Sequence, residues 1–312
     1  MFSIVQKRHW FFLFSALLII PGLVAMIYSL VMFGSPIKLG IDFTGGALME
    51  LRFDKELQPA EVRQVFADNG FPGATVQTTA DAQTLLVRTK PVDPEAKDLL
   101  LSALQDTFGP VEVPRFESVG PAVGAEVTRA ASIAVAVAAV FILAFIVFAF
   151  RKVPNAFRFG VCAIVSMLHD ILVTAGLFSL ACLLLGWEAD SLFLTAVLTV
   201  IGFSVQDTIV VFDRIRENTP KRRGEPFETI VNRSLLETLH RSLATQLNAI
   251  FVLIALLLLG GATTKQFVAV LLVGLISGTY SSLFNAVPLL VVWETGKLIG
   301  TPRKPKPQPS QA

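Results

Sequence analysis

Four side chains able to carry a proton or a charge stand in or at the ends of long apolar runs of this chain: His169, Asp170, Asp207 and Arg241. A charged side chain at the centre of a membrane helix costs about 2.5–3.5 kcal/mol on insertion scales. A chain that keeps a carboxylate there has a use for it, or a partner that neutralises it. The chemistry open to such a group is proton carriage, because apolar surroundings disfavour the charged form and let the neutral acid exist. Asp207 lies in Gly202–Asn218, an apolar segment that leads into a basic cluster. Ser204 is one turn back on a similar face, and Gln206 and Thr208 flank the acid. At about 1.5 Å per residue, Asp207 is roughly 25 Å along its helix.

Arg241 is the natural partner of Asp207. Ser234, Thr238, Arg241, Thr245 and Asn248 recur at helical spacing and form one polar stripe. A guanidinium beside Asp207 favours the charged carboxylate, so moving the two relative to each other takes up or releases a proton. The alternative is that Arg241, at a helix end, reaches out to lipid headgroups. Ser166, Asp170 and Thr174 form a second face, with His169 adjacent. That face is either a second relay point or an interhelical hydrogen-bonded lock. Gly274 and Gly278, followed by Ser281 and Asn285, make a small-residue face suited to close helix packing.

Other chemistries lack their residues. The Gly-Gly pairs Gly45-Gly46 and Gly260-Gly261 do not have phosphate-loop spacing, and no zinc-protease or nucleophile-elbow pattern occurs. His9, His169 and His240 are too scattered for a metal, and Cys162 and Cys182 lie in apolar runs, which argues against a disulfide framework. No cofactor, metal or nucleic acid is expected. With no ATPase or hydrolase signature, an ion gradient is the expected energy source.

The elements that position these groups are membrane helices. Of the 312 residues, 53% are hydrophobic and 16% charged, against about 25% charged in soluble domains. Six apolar runs are expected to span: 10–33, 130–150, 159–185, 191–212, 241–260 and 267–292. The first follows Lys7-Arg8-His9 and is too long for a cleaved leader, so it reads as an uncleaved span. Residues 34–128 are polar and proline-punctuated. Strands at 47–53, 74–79, 84–89 and 111–117, with helices opening at Pro59 and Asp93, give the order β-α-β-β-α-β of a small ferredoxin-like domain. The expected division is a first cytoplasmic stretch and span (1–33), an extracytoplasmic α+β domain (34–128), a five-helix membrane domain (129–296) and a disordered tail (297–312). Basic residues crowd alternate loops: Arg151, Lys152 and Arg158; then Arg214, Arg216, Lys221, Arg222, Arg223 and Arg233; then Arg303, Lys304 and Lys306. The other loops carry only Glu188, Asp190 and Lys265. This places both termini in the cytoplasm and 34–128 outside.

Several segments together resemble one known family. They are Gly40-Ile-Asp-Phe-Thr-Gly-Gly46, Val119-Gly-Pro-Ala-Val-Gly124, His169-Asp170, Phe203–Thr208 with Asp213–Asn218, and Asn232–Leu243. In order and over nearly the whole chain, they are similar to the SecF side of the SecD/SecF family, within the resistance-nodulation-division superfamily. The resemblance implies an auxiliary subunit of Sec protein export in the inner membrane, working with SecD on proton flow to promote late translocation. It implies as partners SecD, the SecYEG channel, the translocating preprotein, YajC, YidC and membrane lipids. It matches Asp207 and Arg241 to the family's fourth-span acid and fifth-span basic residue. It also implies a SecD carboxylate sharing the relay, and no enzymatic step. Gln206, where Asn is usual, and Thr245-Gln-Leu-Asn248 depart from the pattern. The competing readings are a small-molecule or lipid exporter of the same superfamily and a scaffold that does not transport.

Overall fold

Among the described residues of the computed structural model, six helices are long and apolar enough to cross a membrane. The structure describes residues 4–79, 81–151, 156–222 and 224–299. In order the elements are α1 (Arg8–Phe33), α2 (Ile41–Thr44), β1 (Gly46–Phe53), α3 (Pro59–Asp68), β2 (Thr75–Thr78), β3 (Thr84–Thr89), α4 (Pro94–Phe108) and β4 (Val111–Val119). Then come α5 (Pro121–Ala149), α6 (Ala156–Leu185), α7 (Ser191–Lys221) and α8 (Phe227–Leu259). The sixth span is α9 (Ala262–Ser281), a π-helical turn (Ser282–Ala286) and α10 (Val287–Thr295). Ala80 of the expected hairpin turn, Lys152, Arg223 and the 300–312 part of the tail lie outside the described residues.

The chain forms two compact units. In the smaller, the strands pair antiparallel in the order β2-β3-β1-β4, the ferredoxin-like arrangement. Local signals place its elements. Gln58 and Glu61 form a capping box with Pro59 opening α3. The Asp93 carboxylate accepts from Ala96 N at 2.8 Å ahead of Pro94, opening α4. Central β1 buries Met49, Leu51 and Phe53, against Val62 and Phe66 of α3 and Leu100 and Leu104 of α4.

This unit spans Leu39–Ala134 and also takes in Glu188–Ser191, where the sequence reads a loop to Asp190 and the start of a span at Ser191. Gly40 N donates to Ala189 O at 2.7 Å, and the Asp42 carboxylate accepts from Ser191 N at 2.8 Å and Ser191 Oγ at 2.5 Å. Glu188 pairs with Arg88 of β3. Burial pushes the Arg88 guanidinium down to about 10, with Arg115 adding to the effect, so it stays charged at neutral pH.

In the membrane unit, α7 and α8 run past the apolar stretches that mark them. Hydropathy registers the bilayer, whereas these helix ends are held by polar pairs. Arg214 Nε donates to Glu237 Oε2 at 2.6 Å, and Asn218 Nδ2 to Ser234 Oγ at 2.9 Å. Arg8 marks the other end of the chain. It is fully buried, pairs with Glu228 Oε1 at 3.0 Å and donates to Lys297 O at 2.6 Å through Nη2. A buried charge is tolerated only with partners of this kind. The core of the unit includes three mutually packed rings, Phe150, Phe159 and Phe212.

The pair Gly45-Gly46 follows from backbone geometry. Both residues have positive φ, 72° and 128°. A Cβ at Gly45 would lie 2.9 Å from Pro121 Cα, and one at Gly46 2.9 Å from Thr89 O. Gly46→Val is expected to destabilise the smaller unit by on the order of 1–3 kcal/mol. Gly73→Ala, where a Cβ meets open space, is expected to stay within about 0.5 kcal/mol. Thermal unfolding of the purified chain checks both.

Candidate functional site

Asp170 lies near the middle of α6 and is 1% exposed. Its Oδ1 accepts from Ser277 Oγ at 2.7 Å and faces His169 Nδ1 at 3.0 Å. Its Oδ2 accepts from Ser204 Oγ at 2.5 Å and Ser281 Oγ at 2.6 Å. A carboxylate offers about four lone-pair sites, and here each oxygen has two donors. The anion is satisfied by side chains of α6, α7 and α9. A carboxylate only accepts, so a hydrogen bond at this contact is made by the His169 tautomer protonated at Nδ1.

Serine is short, so the cage requires close helices. Gly274 and Gly278 provide the approach. A Cβ at Gly274 would fall 2.1 Å from Val200 Cγ2 of α7, and one at Gly278 would lie 3.4 Å from Ser204 Cα and 3.7 Å from Asp170 Oδ2. A second such contact joins α1 and α6, where a Cβ at Gly22 would lie 2.8 Å from Gly176 Cα. Beside the cage, Thr208 Oγ1 is 3.0 Å from Ser282 Oγ, which donates to Ser204 O at 3.0 Å.

Asp207 is also buried, at 6% exposed. Its surroundings differ from those of Asp170. Among the described residues it receives one side-chain hydrogen bond, from Gln246 Nε2 of α8 at 2.5 Å. The direct pair with Arg241 expected from the sequence does not form. Arg241 is exposed and lines a cleft of about 450 Å³ with Ile209, Asp213, Glu217 and Glu237. The reason is helical phase. Ser234, Thr238, Ser242 and Gln246 are the buried row of α8, while Arg241, Thr245 and Asn248 are exposed. The two rows share their first members and then run one residue apart.

The other expected residues separate in the same way. Ser204, expected beside Asp207, serves Asp170. Three residues are about 300° of helical turn, so Ser204 faces α6 while Asp207 faces α8. Gln206 is exposed and outside the network. Thr238 is buried, its hydroxyl donating to Ser234 O at 3.1 Å, and Thr245 donates to Arg241 O at 3.0 Å. Ser166 and Thr174 are buried beside Asp170 but do not bond it, and their hydroxyls have no hydrogen-bond partner in the structure. Gln246 and Ser277 were missed by sequence reading. A row at four-residue steps from Ser234 could have found Gln246, and Ser277 lies between two noted glycines. Among the described residues no His, Cys, Asp and Glu cluster could hold a metal.

Six spanning helices, two buried intramembrane carboxylates on facing helices and a ferredoxin-like domain define a multi-pass membrane protein of the transport class. Comparison with known proteins narrows that class. Residues 100–296 match the model of "Protein export membrane protein SecD/SecF, C-terminal", and residues 30–56 match the "SecD/SecF GG Motif". The chain is 48% identical to the protein translocase subunit SecF of Anaerolinea thermophila, over 95% of this chain and 96% of that one. It is 47% identical to the SecF of Thermobaculum terrenum, over 99% of each. The crystal structure of SecDF from Thermus thermophilus, described as a translocon-associated membrane protein, is similar with a TM-score of 0.79 and 33% identity, over 94% of this chain and 39% of that one. The SecDF structure in a super-membrane-facing form gives 0.65 and 32% identity, over 95% of this chain and 39% of that one. The chain belongs to the SecD/SecF protein-export family, on its SecF side.

The two carboxylates are expected to respond differently to substitution. Asp170→Ala strands three buried hydroxyls, at about 1–3 kcal/mol each, and is expected to lower the melting temperature of the purified protein sharply. Asp207→Asn keeps an acceptor for Gln246 and is expected to cost less than about 1 kcal/mol.

Proposed function

We propose that this chain, as the SecF-type auxiliary subunit of Sec export, works with SecD and couples late translocation to proton movement through Asp207. The observation that carries the reading is the contrast between the carboxylates. Asp170 has a donor for every lone pair, whereas Asp207 has one amide. Hydrogen bonds to the charged form favour it, and burial without them favours the neutral acid. Asp207 is therefore the main proton-exchange group on this reading, with Asp170 as a second relay point.

Arg241 sits in a cleft whose wall includes Ile209 and Val210, within a turn of Asp207. It precedes Gln246 by about 7.5 Å along α8. A rotation and slide of α8 would exchange the neutral Gln246 for the Arg241 guanidinium at Asp207. A guanidinium beside a carboxylate favours its charged form more than an amide does, so a cycle of this helix movement takes up and releases a proton. Gln206, Thr245 and Asn248 lie on exposed faces where such a movement would carry them.

The basic loops place both termini in the cytoplasm, residues 34–128 outside the inner membrane and the Arg241 cleft on the cytoplasmic side. The further partners on this reading are the SecYEG channel and the translocating preprotein, with YajC and YidC as accessory components. The chain performs no covalent chemistry on its cargo.

The test uses vesicles holding the chain with SecD and the channel. Asp207→Asn is expected to insert normally, co-purify with SecD and lose proton-gradient stimulation of export. Stimulation at the wild-type level would sink the proton role of Asp207. Arg241→Lys is expected to retain part of the stimulation and Arg241→Leu none.

A further inference from the structure

His169 has a side that the Asp170 cage does not use. Its Nδ1 faces Asp170 Oδ1 at 3.0 Å, but its Nε2 is buried without a hydrogen-bond partner in the structure. The side chain is 7% exposed. Ser166 Oγ, one turn earlier on α6, is buried and equally unpartnered. Both residues line a cavity of about 390 Å³ between α1, α6 and the end of the sixth span, whose walls include Phe12, Ile19, Leu172 and Leu289. Two further polar residues of that lining, Ser15 and Asn285, satisfy each other at 2.7 and 2.9 Å.

A buried ring nitrogen without a partner carries a desolvation cost. A water molecule removes that cost when a cavity is roomy and supplies polar partners, and this cavity offers Nε2 as acceptor and Ser166 Oγ as donor. The surroundings hold little else that titrates. From α7, Ser204 faces the cage, and Asp207 turns to Gln246 of α8. From the sixth span, Ser277 and Ser281 face Asp170. Tyr280, whose ring lies 6.2 Å from His169, donates its hydroxyl to Phe11 O at 2.7 Å. From α1 comes only Ser15.

We infer that His169 is the proton-exchange group between this cavity and Asp170. Hydronium in the cavity gives a proton to Nε2 and becomes water. The proton on Nδ1 then passes to Asp170 Oδ1, leaving a neutral imidazole protonated at Nε2 and a neutral acid. The reverse sequence returns the proton to the cavity. After the transfer Oδ1–H donates to Nδ1 and Oδ1 still accepts from Ser277, so the cage between α6 and α9 is kept through the step. The inference rests on the proton-coupled reading above and adds a second route to it.

The experiment has two arms. In the first, the full chain with SecD is reconstituted in vesicles and proton flux during export is measured. His169→Asn keeps an N–H able to donate to Asp170 but cannot pass a proton. A flux at least about ten-fold lower is expected, within the usual range for removing a positioned proton carrier, and wild-type flux in His169→Asn overturns the inference. If Asp207→Asn abolishes flux and His169→Asn does not, only this inference fails. If neither changes it, the proton-coupled reading fails as well.

The second arm needs no variant at the site. The chain has three histidines, and in a His9→Gln, His240→Gln background the nitrogen NMR signals belong to His169. The expected result is signals that report exchange between the Nδ1–H and Nε2–H forms, absent in Asp170→Asn. A single fixed form in the wild-type residue, or the same exchange in Asp170→Asn, overturns the inference. If His169→Asn fails to co-purify with SecD, this arm decides alone.

Discussion

One carboxylate buried at the crossing of three helices constrains the membrane unit. Asp170 cannot remain charged in that position without donors, and no donor lies on its own helix except His169. The other three are serine hydroxyls on α7 and α9. Serine reaches only a short distance, so the helices must approach to near backbone contact. That requirement explains Gly274 against Val200, Gly278 against Ser204, and the run of small residues around them. In a bilayer, where lipid is as apolar as leucine, packing of small residues and interhelical hydrogen bonds are what hold helices together.

The second carboxylate gains its meaning from the first. Asp207 and Ser204 are close in sequence on α7, yet they face different neighbours. The helix thus gives a hydroxyl to the Asp170 cage on one side and carries Asp207, with its single side-chain hydrogen bond among the described residues, on the other. The polar clasps, Arg214–Glu237 and Arg8–Glu228, hold the ends of α8 and α1 with side chains rather than with apolar packing. The part-exposed Arg214–Glu237 pair can be exchanged at smaller cost than a packed core, whereas the buried Arg8–Glu228 pair is costly to break.

Much of this was legible in the sequence. Six spans, the ferredoxin-like order and the need of Asp170 and Asp207 for polar partners follow from local signals: apolar length, proline and capping residues, and the cost of charge in hydrocarbon. Gly45-Gly46 reads in the sequence as part of a family motif without phosphate-loop spacing; its physical reason, the approach of Pro121 and Thr89 from distant parts of the chain, is not legible there. Glu188–Ser191 read as a loop and the start of a span, because its partners Arg88, Gly40 and Asp42 lie far away in sequence.

The sequence by itself determined which residues are costly to bury and roughly how deep they lie, since insertion cost and helical rise are local properties. Which residue meets which was decided by the tertiary structure alone. Ser234 and Thr238 begin two rows along α8, one through Arg241 and one through Gln246. Both have helical spacing, and they differ by a rotation that only the crossing of α8 over α7 can select. The packing selected Gln246 for Asp207 and left Arg241 in the cleft. By the same logic it took Ser204 from Asp207 and gave it to Asp170, because residues three apart on a helix point in directions that no periodicity can assign to neighbours.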